Sequence, residues 1–271
     1  MYLITTGALA LYALSVGALY AAQDRMIFPR HRACAPQGLY TKGGKTLRVA
    51  TSDGEQLVGV HLPAERSRGL IVGFTGNIWD AGYFAACVHD WTDGFDVVAF
   101  HYRGYAPSTG LPSEAALTRD AETIYDAVIE ELAPERVYAA GFSLGSAVAA
   151  HLATQRPLDG LVLVTPFDSL HALAKTKYRL VPVRWLLKHP FHTDRRLAAT
   201  SLPVGVISAR RDQIIPPART LSLGEHIDRL VFNHVFADDT HSSLYDRPSF
   251  GNVLQAAFEA LENDVAEPLS A

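Results

Sequence analysis

Apolar positions fall into three regimes along the chain. Residues 1–23 form a predominantly apolar run with no charged side chain. Next come two short segments, 47–50 and 57–61, in which apolar and polar positions alternate, as strands covered on one face require. Ser52-Asp53-Gly54 between them supplies turn chemistry, so the two are expected to pair antiparallel. Beyond them lie continuous apolar runs at 70–74, 97–101, 137–140, 161–165, 204–208 and 230–236, the pattern of strands buried by helices on both sides. Helical periodicity occupies 81–91, 114–132, 144–154, 217–223 and 249–263, mostly between those runs. Pro112-Ser113-Glu114 reads as a helix start and Pro134 as a stop. The alternation predicts an α/β fold: an eight-stranded, mostly parallel sheet with helices on both faces.

At 1.5 Å per residue, about 22 residues span roughly 33 Å, enough for a bilayer core. The chain therefore divides into an N-terminal transmembrane anchor (1–24), a connector (25–44) and a catalytic-size domain (45–271). A cleaved signal peptide and a buried core helix compete for the first segment; the absence of a basic n-region weighs against the signal peptide. Arg25, Arg30 and Arg32 follow the run while no cation precedes it, so the positive-inside bias puts the domain on the cytoplasmic side. Removing residues 1–24 is expected to release soluble, active protein. The simple alternation breaks at 167–200, a cap insertion carrying Lys175, Lys177, Arg179, Arg184, Lys188, Arg195 and Arg196. It reads either as a solvated cap or as a lid beside an active site, resting on anionic headgroups.

Composition narrows the function. With 271 residues, 48% hydrophobic and 19% charged, the chain can build a sizeable core. A net charge of −4 argues against general nucleic-acid binding. Cys34 and Cys87 form no zinc spacing and are expected as free thiols. Gly43-Gly44-Lys45-Thr46 is no P-loop, because Leu39 stands where a glycine is needed. His189-Pro190-Phe191-His192 is read as cap structure rather than a metal site, and no cofactor is expected.

Gly141-Phe142-Ser143-Leu144-Gly145 sits directly between a predicted strand and a predicted helix. G-x-S-x-G in that context is a nucleophile elbow: a serine on a sharp turn, flanked by glycines because side chains there would collide with strand and helix. The turn opens a helix, so the Leu144 N–H faces a developing oxyanion. A serine needs a base and the base a carboxylate, supplied from the ends of later strands. Asp212, just after 204–208, is preferred as the carboxylate, with Asp168 as competitor. His241 follows the last strand and completes the order Ser143, Asp212, His241; His234 lies inside a strand and His226 in a predicted helix. Asn77, in Gly73-Phe74-Thr75-Gly76-Asn77, is the candidate second oxyanion donor, against the reading of that stretch as an ordinary glycine turn.

These stretches, with Tyr102-Arg103-Gly104-Tyr105, Ser108-Thr109-Gly110-Leu111-Pro112-Ser113-Glu114 and Thr165-Pro166-Phe167-Asp168, resemble the α/β-hydrolase superfamily, within it the membrane-anchored serine hydrolases with esterase-like and peptidase-like members. The resemblance covers most of residues 45–262. It implies a Ser143/His241/Asp212 triad, no metal, and hydrolysis through an acyl-enzyme. Thr75-Gly76 departs from the His-Gly frequent in the family, and Arg103 is read as structural. A carboxylic ester or thioester of a small-molecule or lipid-like acyl group is the expected substrate. An amide or peptide hydrolase on the same triad is the alternative, and a catalytically silent interaction module the rival from another class.

Overall fold

A computed structural model of the chain describes residues 2–33 and 44–266. Cys34 and half of the connector, residues 34–43, lie outside the described residues. Eight strands form one sheet: β1 (Lys45–Ala50), β2 (Gln56–Leu62), β3 (Gly69–Phe74), β4 (Phe95–Phe100), β5 (Val137–Phe142), β6 (Gly160–Val164), β7 (Val204–Ala209) and β8 (Leu230–Phe236). Their spatial order is β1-β2-β4-β3-β5-β6-β7-β8, with β2 antiparallel to both neighbours and the remaining pairs parallel. Strand order therefore reverses between β3 and β5. In an open wound sheet such a reversal leaves a crevice at the carboxyl ends of the two strands, where ligands bind.

The helices are α1 (Tyr2–Ile27), α2 (Ala81–Trp91), α3 (Glu114–Leu132), α4 (Leu144–Gln155), α5 (Leu170–Lys177), α6 (Val183–Leu186), α7 (Thr193–Leu197), α8 (Pro217–Gly224) and α9 (Phe250–Ala266). α3 and α4 cover one face of the sheet and α2 and α9 the other, giving two core layers. Every residue of β3, β5, β6 and β7 is buried. Successive residues serve opposite layers: Val137 and Ala139 join the α3/α4 side, Tyr138, Ala140 and Phe142 the α2/α9 side. That double burial is why these strands read as unbroken apolar runs. Helix ends follow local chemistry: Asp80 and Ser113 accept the Tyr83 and Ala116 N–H groups at 2.9 and 3.1 Å, capping α2 and α3. α8 closes at Gly224, so His226, expected within a helix, stands just beyond it. Its N–H still donates to the Leu223 carbonyl at 2.9 Å, a last frayed turn.

Two connections brace the loops around the crevice. Arg103, 4% exposed, donates Nε and Nη2 to the Asp120 carboxylate (2.9 and 2.5 Å) and Nη1 and Nη2 to Asp53 (2.5 and 3.1 Å). The loop after β4 is thereby forked onto α3 and the β1–β2 turn, and Arg103 holds Asp53 well below the usual carboxylate range. Tyr102 Oη donates to the Thr75 carbonyl at 2.8 Å, so the same tract supports the loop after β3.

α1 is the one helix among the described residues long and apolar enough to cross a membrane. Its outer part is bare, with Leu9 and Leu14 about 70% exposed (68% and 71%). Its last turns are not. Gln23 donates to the Leu186 carbonyl (3.0 Å) and accepts from the Lys188 N–H (2.8 Å). Asp24 accepts from Lys188 Nζ (2.9 Å) and His189 Nε2 (3.1 Å), while His189 Nδ1 accepts the first N–H of α3, from Glu114, at 3.2 Å. His189 thus joins α1, the cap and α3.

Arg103→Ala leaves the Asp120 carboxylate buried without its partner. Breaking a buried pair costs about 3–5 kcal/mol, and the half-open Asp53 places the expected loss at the lower end. Thermal unfolding of the solubilised protein should fall by about 6–12 °C, whereas ester turnover at low temperature is retained.

Candidate active site

Ser143 stands where β5 turns into α4, with φ 52° and ψ −114°. This left-handed backbone is unfavourable for a residue bearing a Cβ and needs surroundings that impose it. The surroundings are two contacts that only glycine allows. A Cβ on Gly141 would lie 2.5 Å from the Gly145 carbonyl oxygen, and one on Gly145 would overlap the Phe74 and Thr75 carbonyls of the adjacent strand end. The Ser143 N–H donates to the Val164 carbonyl at 2.8 Å, fixing the elbow to β6. Its side chain is thereby thrust out over the crevice.

His241 arrives on the loop after β8. That loop is held by Asp239, which accepts from Ser243 Oγ (2.9 Å) and from Arg247 Nε (2.8 and 2.7 Å). Burial would raise the Asp239 carboxyl, but the Arg247 and Ser243 hydrogen bonds outweigh it and hold the group below its ordinary value. His241 Nε2 lies 3.1 Å from Ser143 Oγ and Nδ1 2.6 Å from Asp212 Oδ2. Asp212 follows β7, and its other oxygen accepts the Ile214 and Ile215 N–H groups, both at 2.8 Å. With Asp212 only 3% exposed and so anchored, the network assigns the Nδ1–H tautomer and leaves Nε2 able to accept from the serine.

The structure also separates the rival carboxylates. Asp168 accepts its neighbour's N–H at Ser169 (2.7 Å) and Arg219 Nη1 (2.8 Å), tying the cap to α8. It is engaged away from His241. Leu144, the first residue of α4, has an N–H with no partner within the helix, as in any first turn. Leu144 and Asn77 line the same cavity as Ser143 and His241, and a Cβ added at Gly76 would lie 3.8 Å from the Ser143 Cβ. The Asn77 side chain points another way, donating to the Ile27 carbonyl at 3.0 Å, which leaves its main chain as the group available to an oxyanion. Tyr102 anchors the Thr75 carbonyl here, in place of the support that a histidine at that position would give.

The cavity holds about 910 Å³, near the upper end of ligand pockets at roughly 300–1,000 Å³. Trp79, Phe167 and Tyr245 form its floor beside the serine, Leu170, Leu173 and Leu186 its cap side. Among the described residues, Lys177 and Asp246 are the formally charged side chains, other than the histidine, in its lining. Tyr245 stacks on Phe142 (5.8 Å, 12°), and its burial pushes the phenol well above its ordinary pKa, keeping it neutral.

α1 supplies a further wall through Val16, Leu19, Tyr20, Gln23 and Met26. Deleting residues 1–24, expected from the sequence to release soluble, active protein, would strip one side of the cavity and the Gln23 and Asp24 latch. Sequence periodicity missed this role, because an all-apolar run carries no face. The one available signal was the polar pair Gln23-Asp24 closing that run.

Fold and side-chain geometry together are those of an α/β hydrolase. Residues 65–193 match the family described as serine aminopeptidase, S33. An uncharacterized Mycobacterium tuberculosis protein is 33% identical over 206 residues, covering 73% of each chain. An uncharacterized membrane protein of Saccharomyces cerevisiae is 28% identical over 237 residues (81% of this chain, 82% of that one). The lysophosphatidylserine lipase ABHD12 of Danio rerio is 29% identical over 189 residues, 59% of this chain but 50% of its own length. Among solved structures, an esterase of Pyrococcus furiosus superposes with a TM-score of 0.65 at 16% identity, over 86% of this chain and 96% of its own. The chain belongs to the α/β-hydrolase superfamily.

The two carboxylates give opposite expectations. Asp212→Asn should lower kcat by about 10⁴ by disturbing the tautomer. Asp168→Asn weakens a cap contact and should leave kcat for a soluble ester within about tenfold, as a lost charged hydrogen bond of about 1.5–3 kcal/mol acts on stability rather than on the reacting atoms. Steady-state kinetics of the two variants decide the assignment.

Proposed function

We propose that the protein is a membrane-tethered serine hydrolase that cleaves a carboxylic ester or thioester of an apolar acyl group through an acyl-enzyme. The observation that carries this reading is the continuous chain Asp212–His241–Ser143 at the head of a largely apolar cavity. His241 Nε2 takes the Ser143 proton as Oγ attacks the acyl carbon, and Asp212 stabilises the imidazolium that forms. The Leu144 and Asn77 main-chain N–H groups hold the oxyanion, each donor worth about 2.7–4 kcal/mol in the transition state. Collapse of the tetrahedral intermediate breaks the bond to the leaving group, which takes the proton from Nε2; water then repeats the sequence and frees the acid. No step calls on a metal or cofactor.

An ester of an apolar acid is favoured over an aminoacyl amide by the lining. An aminopeptidase has to hold an ammonium group beside the scissile bond, and the lining offers one carboxylate, the exposed Asp246. The lipase named among the relatives supports a lipid-like acyl substrate. Membrane tethering rests on the exposed apolar α1 and on the yeast membrane protein relative. Arg25, Arg30 and Arg32 at the domain end of α1 favour a cytoplasmic domain.

A fluorophosphonate probe should label the wild type at Ser143 and fail to label Ser143→Ala, whose ester turnover should fall by about a millionfold. A panel of acetate, decanoate and palmitate esters beside aminoacyl amides tests the bond. Preference for the longer esters is expected. Faster aminoacyl release would shift the reading to a peptidase, and an unlabelled wild type would leave a catalytically silent module.

A further inference from the structure

The most exposed apolar side chains of the cap sit on the arm at residues 178–187, where Leu180 is 84% and Trp185 80% exposed. Neither belongs to the core or to the cavity lining, so neither is explained by the fold or by the site. The arm runs beside α1. The Leu180 carbonyl accepts from Tyr12 Oη at 2.7 Å, and the Leu186 carbonyl from Gln23 Nε2 at 3.0 Å. Tyr12 and Gln23 are separated by about 16 Å of helix.

Charge points the same way. From 169 to 193 the chain has no Asp or Glu and five cations, Lys175, Lys177, Arg179, Arg184 and Lys188, although its net charge is −4. Lys188 pairs with Asp24 and lies 4.9 Å over the Tyr20 ring, a cation and an aromatic together at the polar end of α1, as membrane interfaces favour.

We propose that the arm at 178–187 enters the same leaflet as α1, so that the cleft between them is a lateral port through which a membrane-resident acyl ester reaches Ser143. The inference rests on the reading of α1 as a membrane anchor. Leu180 and Trp185 enter the acyl region, and Arg179 and Arg184 extend back to anionic headgroups along their own aliphatic stems. These arginines limit the depth of the arm, and α1 leans to accommodate it, since tilt follows packing and interfacial anchors. Both sides of the port are apolar, Leu19 and Met26 on α1 and Val181 and Leu186 on the arm. The acyl chain therefore passes from bilayer to serine without crossing water.

Full-length protein reconstituted in phosphatidylcholine vesicles containing phosphatidylserine gives the test. Flotation first reports whether the chain is membrane-bound. The tryptophan emission missing from Trp185→Phe should be quenched by lipids brominated on the acyl chain. Protein that floats with that emission unquenched overturns the port and leaves the anchor; protein that does not float overturns both. In the double variant Leu180→Asp with Trp185→Asp, hydrolysis of a palmitate ester held in the vesicles should fall at least about tenfold, the cost of losing one buried apolar side chain from the bilayer. Its hydrolysis of water-soluble acetate ester should be unchanged, which also shows that the variant folds. Equal losses on the two esters, or none on either, overturn the proposal.

Discussion

The active site depends on a close approach of main chains: the first turn of α4 lies against the end of β3 with only a glycine between them. Gly145 meets the Phe74 and Thr75 carbonyls and Gly141 meets Gly145, so the elbow cannot relax into ordinary backbone. The strain at Ser143 is a consequence of that packing. Because β3 and β5 are neighbours at the reversal of strand order, the same approach brings the Thr75-Gly76-Asn77 loop beside the serine. The placement of Ser143 and that of the Thr75-Gly76-Asn77 loop are therefore set by one contact.

Around that centre, carboxylates act as loop anchors according to their partners. Asp212 spends one oxygen on two backbone N–H groups and turns the other to His241. Asp239 holds the histidine loop through Arg247, Asp168 holds the cap through Arg219, and Asp120 holds the loop after β4 through Arg103. Of these carboxylates, Asp212 is the one whose second oxygen faces the His241 imidazole. A charge-assisted bond of that kind fixes the orientation of the ring.

The cavity is built differently. Its floor belongs to the hydrolase core, but its walls are α1 and the cap, joined by the Gln23, Asp24 and His189 contacts. Helix α1 and the hydrolase domain thus share one cavity wall. Under the proposed function, a substrate whose acyl part is soluble in the bilayer would meet a wall of the same chemistry.

Alternating and continuous apolar runs were enough to predict eight strands and the pairing sense of β1 with β2, because burial on one face or two leaves a local record in the chain. The elbow was equally legible, since its glycines and serine act within five residues. Chain order and strand ends singled out Asp212 and His241 as candidates, but Asp168 met the same local conditions. Only the folded chain, which hands Asp168 to Arg219 and Asp212 to His241, could separate them. The wall role of α1 was beyond sequence reasoning for a related reason. An unbroken apolar helix shows no preferred face, and which side meets the cap depends on contacts more than 160 residues away in the chain, such as Gln23 with Leu186.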